Sequence, residues 1–294
     1  MRGLTGARSL GLAALLVLAS QVHCAGFGEG QLGAMACPEL SGGGSVLGAQ
    51  FSGDARANGK VATFVQASKD LVGVSLQIEA EAAEACTRMG YDLGIPPAQM
   101  AARPGNGGRA AGACNALAAR IDGILRQGVQ VRVQAQAPRC QANASAGAQC
   151  QGACNAQGSA QGNVNGPSAS GNASGDAECN ASCRAHANVQ ASCTPAMVSA
   201  QAQGGVEAAR LAATLQANLP LLLHAEVALG KRLLGDLEVV GQVGAQLPRI
   251  VGNAGARALA CVAAAANASA SASMRVKVSV QASASVSGRV GAGG

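Results

Sequence analysis

Cysteine is the residue type whose number and spacing indicate chemistry in this chain. Eleven cysteines occur among 294 residues. Six of them, at successive spacings of 10, 4, 25, 4 and 10, are Cys140, Cys150, Cys154, Cys179, Cys183 and Cys193. Because this spacing is the same in both directions, the outer, middle and inner pairs each have position numbers that add to 333.

Facing residues of an antiparallel hairpin share a constant sum of position numbers. The spacing therefore predicts three nested disulfides, which are Cys140–Cys193, Cys150–Cys183 and Cys154–Cys179. The chain is expected to fold back at Asn165–Ser168, whose residue types favour a turn. Six cysteines allow fifteen connectivities, so other pairings stay open. Metal binding through the two Cys-x-x-x-Cys pairs is a further alternative, which an exported chain without a Cys-x-x-Cys knuckle does not favour.

Five cysteines lie outside this segment. Cys86 and Cys114 flank the loop between two predicted helices almost symmetrically. An antiparallel helix pair would bring them together, so we expect a Cys86–Cys114 bridge. Cys37 and Cys261 form the remaining pair. Ten paired cysteines leave Cys24 over, which makes it the candidate residue for lipid modification.

The N-terminus predicts export. Two arginines precede an apolar run from Leu10 to Ala19, and small residues follow, which is typical of a secretory signal peptide. About ten apolar residues are too few for a membrane anchor, which needs about 20. A lipid on Cys24 remains an alternative, although Gln21-Val22-His23 fits a lipoprotein signal poorly. Ten further cysteines in an exported chain indicate a disulfide framework.

Helices must position most of these cysteines. Apolar and small residues at spacings of three and four predict one helix from about Asp54 to Met89 and another from about Gly108 to Gln127. A third helical region, from about Val206 to Asn267, carries leucines near one face. Pro220 and Pro248 are expected to kink or divide it.

Alternation of apolar and polar residues predicts two strands, at Val129–Ala137 and Met274–Ser287. We expect them to pair against the helical layer. The fold class is therefore α+β: long antiparallel, coiled-coil-like amphipathic helices packed on a small sheet, with a disulfide-stapled irregular arm. The segments are a signal peptide at 1–24, a Gly-rich stretch at 25–53, a helix pair plus strand at 54–138, the Cys-rich arm at 139–194, and a helical region plus C-terminal strand at 195–294.

Composition argues against several functions. The chain has no Trp, one Tyr and three Phe, whereas aromatic side chains supply much of the contact area in pockets and binding hot spots. The net charge of +6 is scattered and includes no run of Lys or Arg, so we expect no nucleic-acid binding.

Candidate catalytic groups are isolated. His23, His186 and His224 have no neighbouring nucleophile, and the Gly-rich stretches lack a Walker lysine. The acidic residues of the first helix are expected on a solvated face; they are Glu79, Glu81 and Glu84. We expect no catalytic, cofactor or metal site.

Three stretches carry a resemblance to known proteins. They are Phe64–Leu71 continued by Glu84–Gly94, Gly112–Leu125 and Val129–Cys140. Together they resemble a group of uncharacterised exported, often lipoprotein-like, proteins of myxobacteria, which combine such helices with a variable Cys-rich insert. The resemblance covers roughly residues 35–140 and implies no catalytic activity.

The sequence thus predicts a non-enzymatic structural or interaction protein of the periplasm, the outer membrane surface or the extracellular space. Its partner would be an unidentified protein or envelope component, with membrane attachment through Cys24 as an option. The alternative is a module that binds a small or apolar ligand between the long helices. The Leu-rich stretch 206–247 supports that alternative, although a buried core explains it equally well.

Overall fold

The computed structural model describes residues 37–53, 55–102, 108–145, 147–148, 183–184, 187, 192–230, 233, 236–237, 240–241, 244–245 and 255–291. Within these residues the chain is mostly helical, with two short antiparallel ladders, which is compatible with an α+β class. The helices are α1 (Ala55–Asp92), α2 (Pro97–Met100), α3 (Gly108–Leu125), α4 (Val206–Leu223) and α5 (Gly255–Gly291). The strands are β1 (Gln130–Gln136), β2 (Cys140–Gln141), β3 (Ser192–Cys193) and β4 (Met197–Gln203).

The first helix, α1, contributes to all three apolar clusters of the core. At its start, the N-terminal cluster joins residues 57–67 to the beginning of α5. The middle cluster joins residues 71–78 to Leu229, Leu233 and the central part of α5. The sheet cluster joins residues 82–95 to α3, α4, the end of α5 and the inner face of the sheet.

Helix α3 runs parallel to the second half of α1. The backbone N–H of Arg109 donates to Glu79 at 3.1 Å, and the guanidinium of Arg120 donates to the carbonyl of Leu93 at 3.2 Å. Contacts therefore advance in the same direction along both helices, and the expected antiparallel orientation of this pair is wrong. The reason lies in the connection, because α2 doubles back and packs on α1 before α3 begins.

Two glycines, one on α1 and one on α3, leave room for the connecting chain to pack closely against both helices. A Cβ on Gly90 of α1 would lie 2.2 Å from the sulfur of Met100, and a Cβ on Gly112 of α3 would lie 2.7 Å from the carbonyl oxygen of Ala101. The chain at and just after α2 therefore packs closely against both α1 and α3.

Helix α4 and the described positions that follow it run antiparallel to α1. Contact positions on α1 recede as the chain advances, from Thr214 beside Asp92, through His224 beside Glu81, to Gly244 beside Phe64. Helix α5 runs parallel to α1, since its start lies in the N-terminal cluster and its end in the sheet cluster.

The C-terminal alternation does not form a strand. Residues 274–287 belong to α5, so the predicted strand and its pairing with β1 are wrong. Only some of the alternating apolar residues are inside: Val276 and Val286 are buried, whereas Met274 is 65% exposed. Serine hydroxyls bond to carbonyls one turn back, as Ser283 does to Ser279 at 2.9 Å. Packing on α1 therefore outweighs the weak local preference of these residues for a strand.

The predicted strand at Val129–Ala137 is present as β1, but its partner is β4. The ladder runs from Gln130 opposite Gln203 to Gln136 opposite Met197. Its inner face packs on the sheet cluster through Val131, which is 1% exposed, and through partly buried neighbours on both strands.

Candidate functional site

Among the described residues the structure shows three complete disulfides, and each is a pair that we expected from the sequence, with Cys37–Cys261 expected only as the remainder. The bridges are Cys140–Cys193, Cys86–Cys114 and Cys37–Cys261. The Cys86–Cys114 bridge joins parallel helices, although we expected it between antiparallel helices. The first lies on the Cys-rich arm, and the third ties the N-terminal segment to α5.

The inner part of the arm is only partly described. Cys183 is fully buried and disulfide-bonded. Cys150, Cys154 and Cys179 lie outside the described residues, so the inner bridges Cys150–Cys183 and Cys154–Cys179 stay predictions. Cys24, the candidate lipidation residue, lies outside them as well.

The arm leaves the bundle as one continuous antiparallel ribbon. The β1–β4 ladder and the β2–β3 ladder have the same register, because Gln130–Gln203 and Cys140–Cys193 both add to 333. Between the ladders, the N–H of Thr194 donates to the carbonyl of Arg139 at 2.9 Å in this same register. The cysteine symmetry therefore extends into the base of the ribbon, where strand β4 was not predicted from the sequence.

Beyond β2 and β3 the ribbon changes character. The N–H of Asn143 donates to the carbonyl of Ala187 at 3.0 Å, which departs by three from the constant sum. Positions 144–145, 147–148 and 183–184 are helical. Gly147 allows a close crossing, since a Cβ there would lie 3.2 Å from the Cβ of Ala187. The arm thus passes from paired strands into short turns, as its high Gly, Asn and Ser content favours.

Ionisable side chains meet near the middle of the bundle. The Nδ1 of His224 lies 2.7 Å from a carboxylate oxygen of Glu81, with side-chain exposures of 24% and 17%. The carboxylate of Glu79 pairs with Arg275 at 3.5 Å and accepts the N–H of Arg109 at the start of α3. The solvated face expected for the acidic residues of α1 is therefore wrong for Glu79 and Glu81. Glu84, which is exposed and pairs with Arg88, fits it.

A π-helical turn positions His224. Helix α4 continues through Pro220 and then widens over His224–Leu229. Proline has no N–H for the helical ladder, and wider turns of this kind accommodate such an interruption. The turn directs Glu226 toward α5, where its carboxylate accepts a hydrogen bond from the hydroxyl of Ser287 at 3.3 Å.

Burial raises the pKa of the Glu226 carboxyl, and the hydrogen bond from Ser287 opposes that shift. A raised folded-state pKa gives stability that is complete below the unfolded-state pKa and is lost as the pH rises through the folded-state pKa. Glu226→Gln removes this loss. We expect the variant to be more stable than the wild type at pH 8 and to show little gain at pH 4, measured by urea unfolding.

A matched control is Glu84→Gln, since Glu84 is exposed on α1. Its effect should stay within about 0.5 kcal/mol at both pH values. An equal effect of Glu226→Gln at the two pH values would show that burial does not set its titration.

The disulfides indicate the kind of compartment in which the protein is found. Disulfides persist in oxidising environments, so the three bridges indicate an exported protein. In the part of the chain that the structure describes, no helix combines the length and apolarity required to cross a membrane.

Comparison with known proteins finds no matching family model, no matching curated protein and no similar solved structure.

Proposed function

We propose that this protein is a non-enzymatic, exported protein of the cell envelope whose helical bundle carries a disulfide-stapled arm as a spacer, adhesion or assembly element. The observation that supports this most directly is the common register of the β1–β4 and β2–β3 ladders. A ribbon paired in one register and closed by the Cys140–Cys193 bridge would attach the arm to the bundle through both of its strands.

The carrier suits this role because the base of the ribbon is packed into it. Val131 is buried in the sheet cluster, and β4 leads after two glycines directly into α4. Helix α3 precedes β1 and helix α4 follows β4, so both strands continue into the helical bundle at the base of the ribbon. The arm itself has few large apolar residues to order it by burial, so the predicted inner bridges would take the place of a core.

The proposed location is the periplasm, the outer membrane surface or the extracellular space, which the disulfides and the predicted signal peptide support. The resemblance to exported myxobacterial proteins with a Cys-rich insert agrees with this proposal. The partner would be a protein or another envelope component, and Cys24 would supply a lipid anchor if it is retained after processing.

Removal of the arm tests the proposal. In the variant, an Asn-Gly turn replaces residues 142–191, which keeps Cys140 and Cys193 in the ribbon. We expect this variant to fold with an intact bundle and to lose retention in the envelope fraction of the native cell. Equal retention of the two proteins would overturn the proposed role of the arm.

A second variant tests whether the arm must be cross-linked as well as present. Replacing Cys150, Cys154, Cys179 and Cys183 by serine keeps the length and charge of the arm but removes its inner bridges. The proposal expects retention to fall in this variant as well. Intact-mass analysis of the mature wild type in the same fractions identifies the cleavage site and any lipid on Cys24.

The ligand-binding alternative has no specific observation in its favour. The inward leucines of α4 contact the other helices and the sheet within the sheet cluster; they are Leu211, Leu215, Leu219 and Leu222. These contacts are what a packed core requires.

A further inference from the structure

A layer of buried polar residues separates the N-terminal cluster from the middle cluster. On α1, Ser68 lies between the last residue of the former and the first residue of the latter. On α5, Ser269 occupies the same level. On the chain after α4, Asp236 lies between Leu233 of the middle cluster and Val240, which packs on the N-terminal cluster. Three polar residues from three segments therefore share one level of the bundle.

The oxygen atoms of this layer are buried without hydrogen-bond partners. Ser68 and Asp236 are 0% exposed and Ser269 is 5% exposed. Neither hydroxyl oxygen and neither carboxyl oxygen has a partner among the described residues. Burying an ionised carboxyl without a partner is so costly that such groups take up a proton instead.

Among the residues that the structure describes, the groups that face Asp236 supply no positive charge. On α1, the charge that acts on Asp236 is that of Asp70, another acid, while the amine of Lys69 donates to the carbonyls of Gly42 and Gly44. From α5, residues 258–274 contain no ionisable side chain except Cys261, which is in a disulfide.

On its own segment, the charged residues nearest to Asp236 in sequence are Arg232 and Glu238, which lie outside the described residues. Arg232 stands four positions earlier in the sequence. A test must therefore distinguish the effect of Arg232 from the effect of the Asp236 carboxyl.

We propose that Asp236 makes the docking of its segment on α1 and α5, at the described positions Leu233, Asp236 and Val240, dependent on pH. The protonated carboxyl keeps this segment docked, and ionisation of the carboxyl releases it from the bundle. This device is independent of the arm and does not rest on the proposed function.

Burial, with a smaller contribution from Asp70, raises the pKa of Asp236 to about 8. An exposed aspartate has a pKa of about 3.9. Because the docked state keeps its proton to higher pH than the released state, docking is strongest below about pH 4. The equilibrium constant for release is expected to rise by up to about tenfold per pH unit between these two pKa values and to level off above pH 8.

Hydrogen exchange on the full chain tests this device. Protection of backbone amides in residues 233–245 is measured from pH 5 to pH 9, corrected for the intrinsic exchange rate, with α3 as the internal reference. The wild type should lose protection in this segment as the pH rises. Asp236→Asn, which has the shape of the protonated acid but cannot ionise, should show protection that does not change with pH.

Two further variants keep the result decisive. Asp70→Asn removes the neighbouring charge, so the pKa of Asp236 should fall and the loss of protection should level off at a lower pH than in the wild type. Arg232→Gln should leave the wild-type pH profile unchanged. A flat wild-type profile, an unchanged slope in Asp236→Asn, or a slope that appears only after Arg232 is replaced would each overturn the proposal.

Discussion

Replacing Cys37 and Cys261 together by serine is expected to lower the free energy of unfolding by about 5 kcal/mol. This bridge closes a loop with a sequence separation of 224, whereas the Cys86–Cys114 bridge closes one of 28. In the chain-entropy model the stabilisation grows with the logarithm of loop length, so losing the short loop should cost about 3.5 kcal/mol. Urea unfolding of the two double-serine variants, with the slope compared to the wild type, measures both values.

The test compares which variant loses more free energy of unfolding, because the absolute losses depend on residual structure in the unfolded chain. Both bridges are buried in apolar clusters, so each double variant introduces hydroxyls into a similar environment. A larger loss for Cys86/Cys114 than for Cys37/Cys261 would contradict the loop-length account. Cys140–Cys193, with a separation of 53, should lie between them.

Val286→Asp is the second substitution with a large expected effect. Val286 is 0% exposed near the end of α5, within the sheet cluster. A carboxylate placed there would be buried without a partner, and substitutions of this kind cost more than about 4 kcal/mol. We expect the variant to lose most of its helical circular-dichroism signal at a temperature where the wild type is folded.

Ala284→Asp is the matched control, because Ala284 lies two residues earlier and is exposed. In a strand the two positions would share the buried face, and both substitutions would be damaging. In the helix only Val286 is inside, so Ala284→Asp should change stability by about 0.5 kcal/mol or less. Similar large losses for both variants would contradict the helical assignment of residues 274–287.

The cysteine pattern was the most informative part of the sequence. A constant sum of position numbers depends only on the antiparallel direction of a hairpin, so it needs no knowledge of the local conformation. This is why Cys140–Cys193 could be proposed although the structure between those residues could not. The same sum applies to Gln130 and Gln203, but β4 lacks a strong pattern of large apolar residues and was therefore missed.

The direction of the helices could not be obtained from spacing. Cys86 and Cys114 would meet in either a parallel or an antiparallel pair, and the choice depends on how α2 packs in the connection. The C-terminal alternation failed for a related reason. Small residues such as Ser and Ala tolerate both helix and strand, so packing against α1 determined which positions of α5 became buried.

The buried ionisable residues had a weak signal that sequence reasoning did not use. Leu233 and Val240 lie seven residues apart on one predicted helical face, and Asp236 fills the inward position between them. His224 and Glu81 are far apart in sequence, so their contact depends on the antiparallel return of the chain along α1. Recognising that contact requires the fold.

Peptide mass spectrometry of the mature protein under non-reducing conditions tests the central claim most directly. The protein is digested without reduction, and the linked peptides are identified before and after reduction. The account predicts linkage of Cys140 to Cys193, Cys150 to Cys183 and Cys154 to Cys179, with every arm cysteine oxidised. Linkage of Cys140 to Cys150, or free thiols at the inner positions, would contradict a stapled antiparallel arm.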